Sequence, residues 1–555
     1  MARAALVLLL LVTEALAHGG AFRPPPRGRP GDPFTPGVPS RGPTTAGAPG
    51  GVAMSPWETW WAYNREHYLR VRDRVRERTV ISGTPTGRED PFDRTALRET
   101  ILIPAMLEAL GDPDEEVRTA AAVALGKFRA PAAVPKLLEM RAKDNVKQVR
   151  EAAMLGLLLM RDDGLKEFFR GVANDDREDR RDRGFAVLAA GFLRDVEFLH
   201  QILEKGEQTL NGSNTAVDEL VACAALGLGL GGEPEQAAVL AVLAVDERRP
   251  KQARGYAGGS IGRLGNPTAL PELLSLIRDG DAEDLARVGA AIGSGALVVR
   301  DDTAIIDLLG SKAQRDKNGG VRTLLAMSLG RIGGDRAGMH LVNGLRSCEE
   351  AERGFFLLAL GISGADGAGD VLMEQFGRLK NNNDRAACAL ALGLAGHRAA
   401  AQTLRDQLGR GNPMFVGHGM VALGLLDDEQ SIPLVQQILA TDRNAVIQRE
   451  GALALALLRR AAAIPDLLRG LEKASSTHAR GAAAQALGLV GNESAVEPLL
   501  AIYRDRKRQG EERAIALAAL GRIGDPERIP LLATLSFDLN PYVIVDAVRE
   551  AMTIL

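Results

Sequence analysis

The chain has 555 residues, a quarter of them charged, and a formal net charge of −3 at neutral pH. This balance provides no overall basic field, which argues against a nucleic-acid or anionic-membrane surface, and an aromatic content of 4% is too low for base-stacking platforms. The length excludes a single compact core, whereas a repeat array grows linearly. Three cysteines cannot form a closed set of disulfides, and Cys223 and Cys388 lie in Ala-rich segments where a thiol packs as a small hydrophobe.

The N-terminus predicts export. Arg3 supplies a positive start, residues 4–12 form an apolar run, and residues 15–17 (Ala-Leu-Ala) resemble a cleavage site, so residues 1–17 are predicted to be a secretory signal peptide. The apolar run is too short to span a membrane, and we expect no membrane span elsewhere. Residues 18–56 are too rich in Pro and Gly to pack, which predicts a disordered tether. We therefore expect the protein to be periplasmic or extracellular.

Residues 57–90 form a Trp- and Arg-rich segment that contains every tryptophan of the chain. Trp57, Trp61 and Tyr68 follow helical spacing, and Trp60 lies beside them. The favoured interpretation is a capping helix that covers the open end of the first repeat, since terminal repeats need caps. The second is a helix that docks a partner through these four aromatics, because Trp, Tyr and Arg dominate interface hot spots. A membrane-surface helix is the third, weakened by acidic residues among the arginines.

Residues 91–555 repeat one phrase about every thirty-three residues. Its fullest form is an Arg, small apolar residues and Leu-Gly, as in residues 118–126 (RTAAAVALG) and 322–330 (RTLLAMSLG). Thirteen frames keep this register at steps of 31 to 36 residues, and a fourteenth begins at Asp546 and ends at Ile554. Such a period predicts an all-α fold, an α-solenoid of about thirteen two-helix repeats plus a final partial repeat.

Each frame is predicted to contain two helices. The first follows a Pro such as Pro135, which the first turn of a helix tolerates, and the second is an Ala- and Leu-rich helix buried on most sides. The Gly that closes each phrase is expected where neighbouring helices approach closely. A second Gly three residues later is expected to form a left-handed C-terminal cap, and it occurs at Gly265, Gly333, Gly364, Gly396, Gly491 and Gly524.

Residues 112–126, followed by Val-Pro-x-Leu-Leu, resemble the HEAT repeat, and the style is similar to the short HEAT-like repeats of phycobilisome lyases. The Trp-rich lead-in resembles that of exported bacterial HEAT-repeat proteins of unknown role. The resemblance implies that the recurrent Arg bonds toward the inter-helix turn of its own or the adjacent unit. It therefore implies a structural Arg ladder rather than a ligand site.

No residue is predicted to be catalytic, to bind a cofactor or to bind a metal. Deoxyhypusine hydroxylases place His-Glu pairs on HEAT-like repeats to hold two irons, but none of the seven His residues here is followed by Glu. Residues 227–232 fit G-x-G-x-x-G and residues 258–262 fit G-x-S-x-G, but both fall in repeat helices with no preceding strand.

These observations predict a non-enzymatic protein-binding scaffold or adaptor of the extracytoplasmic space that binds partners on its concave face. The alternative is a bilin-lyase-like enzyme or chaperone that acts on a small ligand or a chromophore-bearing protein. A deep pocket with a perturbed acid or base would favour that alternative. The apolar helix at residues 542–555 also predicts weak end-to-end self-association at an open solenoid end.

Overall fold

A computed structural model describes residues 55–74, 94–208, 215–409, 411–473, 477–527, 529, 531–539, 541–542 and 545–554. The predicted signal peptide, nearly all of the predicted tether and much of the second half of the Trp- and Arg-rich segment lie outside the described residues. All regular secondary structure within these ranges is helical.

The first helix, α1, spans Pro56–Leu69. A short helix at Thr95–Leu97 and a π-helical turn at Arg98–Leu102 lead into the repeats. The longer α-helices that follow are, in chain order, α2 (Ile103–Ala109), α3 (Glu115–Lys127), α4 (Val134–Lys143), α5 (Lys147–Met160), α6 (Lys166–Asn174), α7 (Arg180–Phe192), α8 (Val196–Gln208), α9 (Thr215–Gly231), α10 (Ala237–Val245), α11 (Lys251–Leu264), α12 (Leu270–Arg278), α13 (Asp284–Leu297), α14 (Thr303–Arg315), α15 (Gly319–Ile332), α16 (Gly334–Ser347), α17 (Glu350–Ile362), α18 (Ala368–Arg378), α19 (Asn382–Leu394), α20 (Ala400–Leu408), α21 (Pro413–Leu425), α22 (Ile432–Thr441), α23 (Ala445–Arg459), α24 (Ile464–Lys473), α25 (Thr477–Val490), α26 (Val496–Arg504), α27 (Gly510–Ile523), α28 (Leu531–Ser536) and α29 (Asp546–Ile554).

The predicted all-α solenoid of two-helix repeats is confirmed. Even-numbered helices from α2 to α26 form an outer layer, and odd-numbered helices from α3 to α27, one per phrase, form an inner layer. Local chemistry starts the helices where the sequence indicates: the Asp114 carboxylate accepts hydrogen bonds from the first turn of α3, and Pro135 lies in the first turn of α4. Cys223 and Cys388 are fully buried on inner helices, as predicted.

The solenoid closes into a ring, because the last inner helix, α27, packs against the first, α3. A Cβ added to Gly330 would lie 2.8 Å from Ala359 Cα, and Ala359 stands two residues before the Gly that closes the next phrase. Across the closure, a Cβ added to Gly521 would lie 2.9 Å from Ala124 Cβ, and Ala124 also stands two residues before the closing Gly of its phrase. The last and first repeats thus pack against each other in the same register as two consecutive repeats.

The Arg ladder is structural, as the resemblance implies. Arg183 donates to the carbonyl of Ala173 at the end of the outer helix of its own repeat, at 3.0 Å. Arg118 donates to the carboxylate of Asp144 in the next repeat, at 2.9 Å. Such bonds tie these inner helices to the end of their own outer helix or to the adjacent repeat.

The ladder also passes through the closure of the ring. Arg118 pairs with Asp144, which lies six residues before the ladder position Arg150 of the next repeat. Arg513 of the last repeat pairs with Asp112, at 2.5 Å, and Asp112 lies six residues before Arg118. We call this junction between α27 and α3 the seam.

Closure corrects two predictions about the ends of the solenoid. The fourteenth frame forms α29, but α29 packs against α7 and α9 instead of stacking on α27, because α3 already covers that side of α27. For the same reason the first repeat has no open end for α1 to cap. The predicted end-to-end self-association therefore lacks the open end on which it depended.

Five of the six second glycines have a positive φ. Gly265 forms the predicted left-handed cap, whereas Gly333 combines a φ of 73° with a ψ of −174° and is not a left-handed helical cap. Gly524 has a φ of −83° instead. A Cβ there would lie 2.5 Å from Phe128 and 2.7 Å from Leu102, both in the first repeat. Gly524 therefore allows the close approach at the seam instead of providing a left-handed turn.

Candidate binding site inside the ring

Two segments of the chain pack on one common face of the inner helices: α1, and a C-terminal segment that comprises residues 533–539, 541–542 and 545–547. Six of the wall residues that they meet occupy the second and tenth positions of the repeat phrase. These positions are separated by eight residues and therefore share one face of a helix. They are Gly184, Thr323, Gly354 and Glu450 at the second position, and Arg263 and Arg331 at the tenth.

The remaining faces of each inner helix contact its outer helix and its two neighbours in the ring. The face that carries these positions therefore points into the ring, and we call the enclosed space the lumen. The concave surface that the sequence predicts to be open to partners is covered, over this part of the lumen, by the chain itself.

Trp57 occupies a notch in the lumen wall. A Cβ on Gly354 of α17 would lie 2.3 Å from the Trp57 ring, so only a glycine leaves room for this indole. The indole N–H donates to Asn383 Oδ1 of α19 at 3.1 Å, and the His418 ring of α21 meets the indole edge-on at 5.2 Å. Three consecutive inner helices thus hold one side chain through shape, a hydrogen bond and a ring contact.

Arg65, two turns after Trp57, forms a buried ion pair with the wall. Its guanidinium lies 3.3 Å from the carboxylate of Glu450 on α23, and each side chain is only 1% exposed. Arg449 approaches the same carboxylate to 2.6 Å. Burial alone would raise the pKa of Glu450, but Arg449 and Arg65 outweigh it and lower the pKa to about 2. The carboxylate is therefore ionised at neutral pH.

The C-terminal segment is anchored at Phe537 and Asp538. The Phe537 ring stacks on His67 of α1 with centroids 3.8 Å apart, and the guanidinium carbon of Arg331 lies 5.2 Å from the centroid of the Phe537 ring. Arg331 also pairs with Asp538. Burial lowers the pKa of His67, whose Nε2 lies 3.1 Å from the carbonyl oxygen of Ala533, so the neutral ring donates this hydrogen bond.

Backbone contacts join the C-terminal segment to α1. The hydroxyl of Ser536 donates to the carbonyl of Tyr63 at 2.7 Å, and the amide of Asp538 donates to the side-chain oxygen of Asn64 at 3.0 Å. Further along, the amide of Ala547 donates to the carboxylate of Glu219 on α9. The described parts of the two segments therefore contact each other and together fill this side of the lumen.

The four aromatics predicted for partner docking all lie in this filling. Trp57, Trp60 and Trp61 are 1%, 5% and 2% exposed, and Tyr68 is half-buried between Trp60 and Phe537. In this conformation no partner can reach the indoles. The prediction of a docking role for them is neither confirmed nor contradicted.

Sequence reasoning missed the wall residues that receive α1, above all Asn383 and Glu450. One signal was present: the second phrase position is small or apolar in most repeats, yet it is acidic at Glu151 and Glu450. An acidic side chain at a phrase position that is otherwise uncharged indicates a buried partner. Glu450 finds this partner in α1.

Glu151 is the second such acid, and its cationic partners are Arg181 of α7 and Lys147 of α5. Its carboxylate is 3% exposed and lies 3.1 Å from Arg181 and 3.6 Å from Lys147. Burial and the nearby Glu550 of α29 raise the pKa of Glu151 to about 7 despite these cations. This is the kind of perturbed acid that an enzymatic alternative requires, but it faces the chain's own C-terminal helix.

Across the described ranges, no group of three or more His, Cys, Asp or Glu side chains is arranged to hold a metal ion. None of the helices among those residues is both long and apolar enough to cross a membrane.

Comparison with known proteins bears on part of the repeat array. A family model described as HEAT repeats matches residues 95–158, 369–456, 432–518 and 464–553, which together make up less than half of the chain. Human deoxyhypusine hydroxylase in complex with glycerol is similar over 48% of this chain and 96% of its own, with 17% identity and a TM-score of 0.22. Kap121p is similar over 84% of this chain, which spans 63% of Kap121p, with 10% identity and a TM-score of 0.32. No curated protein sequence matches significantly.

Proposed function

We propose that this protein is a non-enzymatic protein-binding scaffold of the extracytoplasmic space. The fold is compatible with this role, because stacked helical repeats present extended surfaces that recognise partners at many points. Export is inferred from Arg3, the apolar residues 4–12 and the Ala-Leu-Ala of residues 15–17.

The observation that carries the proposal is that the inner wall already binds a helix. It holds α1 with an indole in a notch, a side-chain hydrogen bond and a desolvated ion pair, through Trp57, Asn383 and Glu450. Aromatic and Arg anchors in tight pockets are the features that dominate the energetics of protein interfaces. The bilin-lyase-like alternative stays a prediction, and no contact among the described residues favours it.

Two measurements test the proposal. N-terminal sequencing of the protein from the exported fraction should find His18 as the first residue, and retention of Met1 would remove the basis for an extracytoplasmic role. Affinity capture of the mature protein from the same fraction should retain a stoichiometric protein partner, which is then confirmed with both purified components. If no exported protein binds the purified chain at micromolar concentration, the scaffold proposal is wrong.

A further inference from the structure

We propose that the lumen wall formed by α17, α19, α21 and α23 is a receptor for a helix with Trp at positions 1, 4 and 5 and Arg at position 9. In this chain α1 supplies that pattern through Trp57, Trp60, Trp61 and Arg65. A partner protein that carries an equivalent helix displaces α1. This inference rests on the proposed scaffold function and names the site and the chemistry of its partner.

The place of α1 is determined by its side chains and not by its position in the chain. The repeat that follows α1 in sequence has its outer helix, α2, at Ile103–Ala109, yet Trp57 binds Gly354 and Asn383, about 300 residues further on. Arg65 likewise binds Glu450, 385 residues away. A helix held by contacts this distant in sequence behaves as a ligand tethered to its receptor.

The contacts of α1 favour recognition over permanent packing. A buried ion pair such as Arg65–Glu450 loses much of its Coulomb energy to desolvation, so it selects a complementary partner more than it stabilises the fold. The buried indole N–H of Trp61 has no hydrogen-bond acceptor among the described residues. Arg70, which ends α1, adopts a left-handed conformation with a φ of 43°, which a non-glycine residue adopts at an energetic penalty. Because of these features α1 binds the wall with less than the greatest possible affinity, and a partner helix without them would bind more tightly.

A partner helix must compete with α1, which is part of the same chain as the wall. A binding element on the same chain as its receptor has an effective concentration on the order of 1 mM. If the free helix bound the wall with a Kd of about 1 μM, the tethered α1 would weaken binding of a second helix about 1,000-fold. Weakening α1 should therefore open the wall to a helix supplied in solution.

The test uses a fluorescein-labelled peptide of residues 55–74 as the partner helix and the full chain as the receptor. The full chain with Trp57→Ala and Arg65→Ala should bind the peptide at least 100-fold more tightly than the unaltered chain. Adding Gly354→Leu, which fills the Trp57 notch, should abolish that binding. The matched control is Gly377→Leu on α18, where an added Cβ meets nothing within 4 Å, and this change should leave binding intact.

Absence of peptide binding by the doubly substituted chain, when its circular dichroism is native, overturns the inference. If that chain does not fold, hydrogen exchange in the unaltered chain decides instead. Amides of residues 60–69 should exchange faster than those of α19 and α21, and exchange of α1 only with global unfolding overturns the inference. A stable dimer of the unaltered chain would assign the wall to a second copy and reject a separate partner. Capture of an exported protein by a chain that fails the peptide test would leave the scaffold function standing and refute only this site.

Discussion

Replacing Asp112 with alanine is expected to lower the free energy of unfolding by about 3 kcal/mol, because the change leaves a buried arginine without its carboxylate. The Asp112 carboxylate is buried, lies 2.5 Å from Arg513 and also accepts a hydrogen bond from the amide of Asp114. Removing one partner of a buried pair costs about 3–5 kcal/mol. The lower value applies here, because Arg513 keeps its hydrogen bond to the carbonyl of Tyr503.

The chain contains a matched control for this substitution. Asp316 stands at the same position of its repeat, pairs with the buried Arg287 and accepts a hydrogen bond from the amide of Asn318. It lies between consecutive repeats and not at the seam, so Asp316→Ala should be destabilising to a similar degree in any arrangement of the solenoid. Asp281→Ala serves as the neutral control, because its side chain is 96% exposed.

Urea unfolding followed by circular dichroism gives the comparison. In a closed ring, Asp112→Ala and Asp316→Ala should lower stability by amounts that agree within about 1 kcal/mol. In an open solenoid Asp112 would lie at a solvent-exposed end, and its loss would change stability by no more than about 0.5 kcal/mol. The latter result, with Asp316→Ala still strongly destabilising, would refute ring closure.

The pH dependence of the seam has a definite sign. Burial would raise the pKa of Asp112, but the hydrogen bond from Arg513 and the nearby Arg506 lower it on balance. A lowered folded-state pKa stabilises the protein above the unfolded value of about 3.9, and this stabilisation is lost as the pH falls through the folded-state value. Asp112→Ala should therefore remove part of the acid sensitivity of the unaltered chain.

Three further predictions follow from the same structure. Gly330→Leu should lower the free energy of unfolding by more than about 1 kcal/mol, because the new side chain would meet the backbone of Ala359. Gly171→Leu is the control and should lower it less, because nothing lies within 4 Å of a Cβ added to Gly171. Equal urea midpoints for the two variants would contradict the packing role of Gly330. Stability should fall as the pH rises from about 4.5 to about 7, since the pKa of Glu151 is raised from 4.5 to about 7, and Glu151→Gln should flatten that slope. Tryptophan emission should be blue-shifted, because all three indoles are buried, and a solvent-like spectrum would contradict the position of α1.

The sequence determines the repeat and its local chemistry because these depend on neighbours in the chain. The periodic Arg and Gly predict the ladder and the close helix contacts, and Gly330 and Arg118 behave accordingly. Ring closure was not predicted, because the pairing of Arg513 with Asp112 depends on the summed rotation of all the repeats. No single repeat specifies this total rotation.

The site inside the ring was predictable only in part. The aromatic spacing identified Trp57 as a side chain in need of a large contact surface, but its acceptor Asn383 lies 326 residues away and shares no motif with it. The open end that a capping helix would cover does not exist once the ring closes. The interpretation of α1 therefore changed because of a feature located at the opposite end of the sequence.

The seam also imposes an order on synthesis. Ala124 and Gly521 are 397 residues apart (521 − 124), and a ribosome that adds about 5–20 residues per second needs roughly 20–80 s to make the second after the first. Throughout that interval the Ala-rich flank of α3 has no helix against it. The newly made chain therefore exposes a surface of α3 that is complementary to its own final repeat. In an array with one repeat fewer or one more, the summed rotation would differ, and the last inner helix would meet α3 in a mismatched orientation.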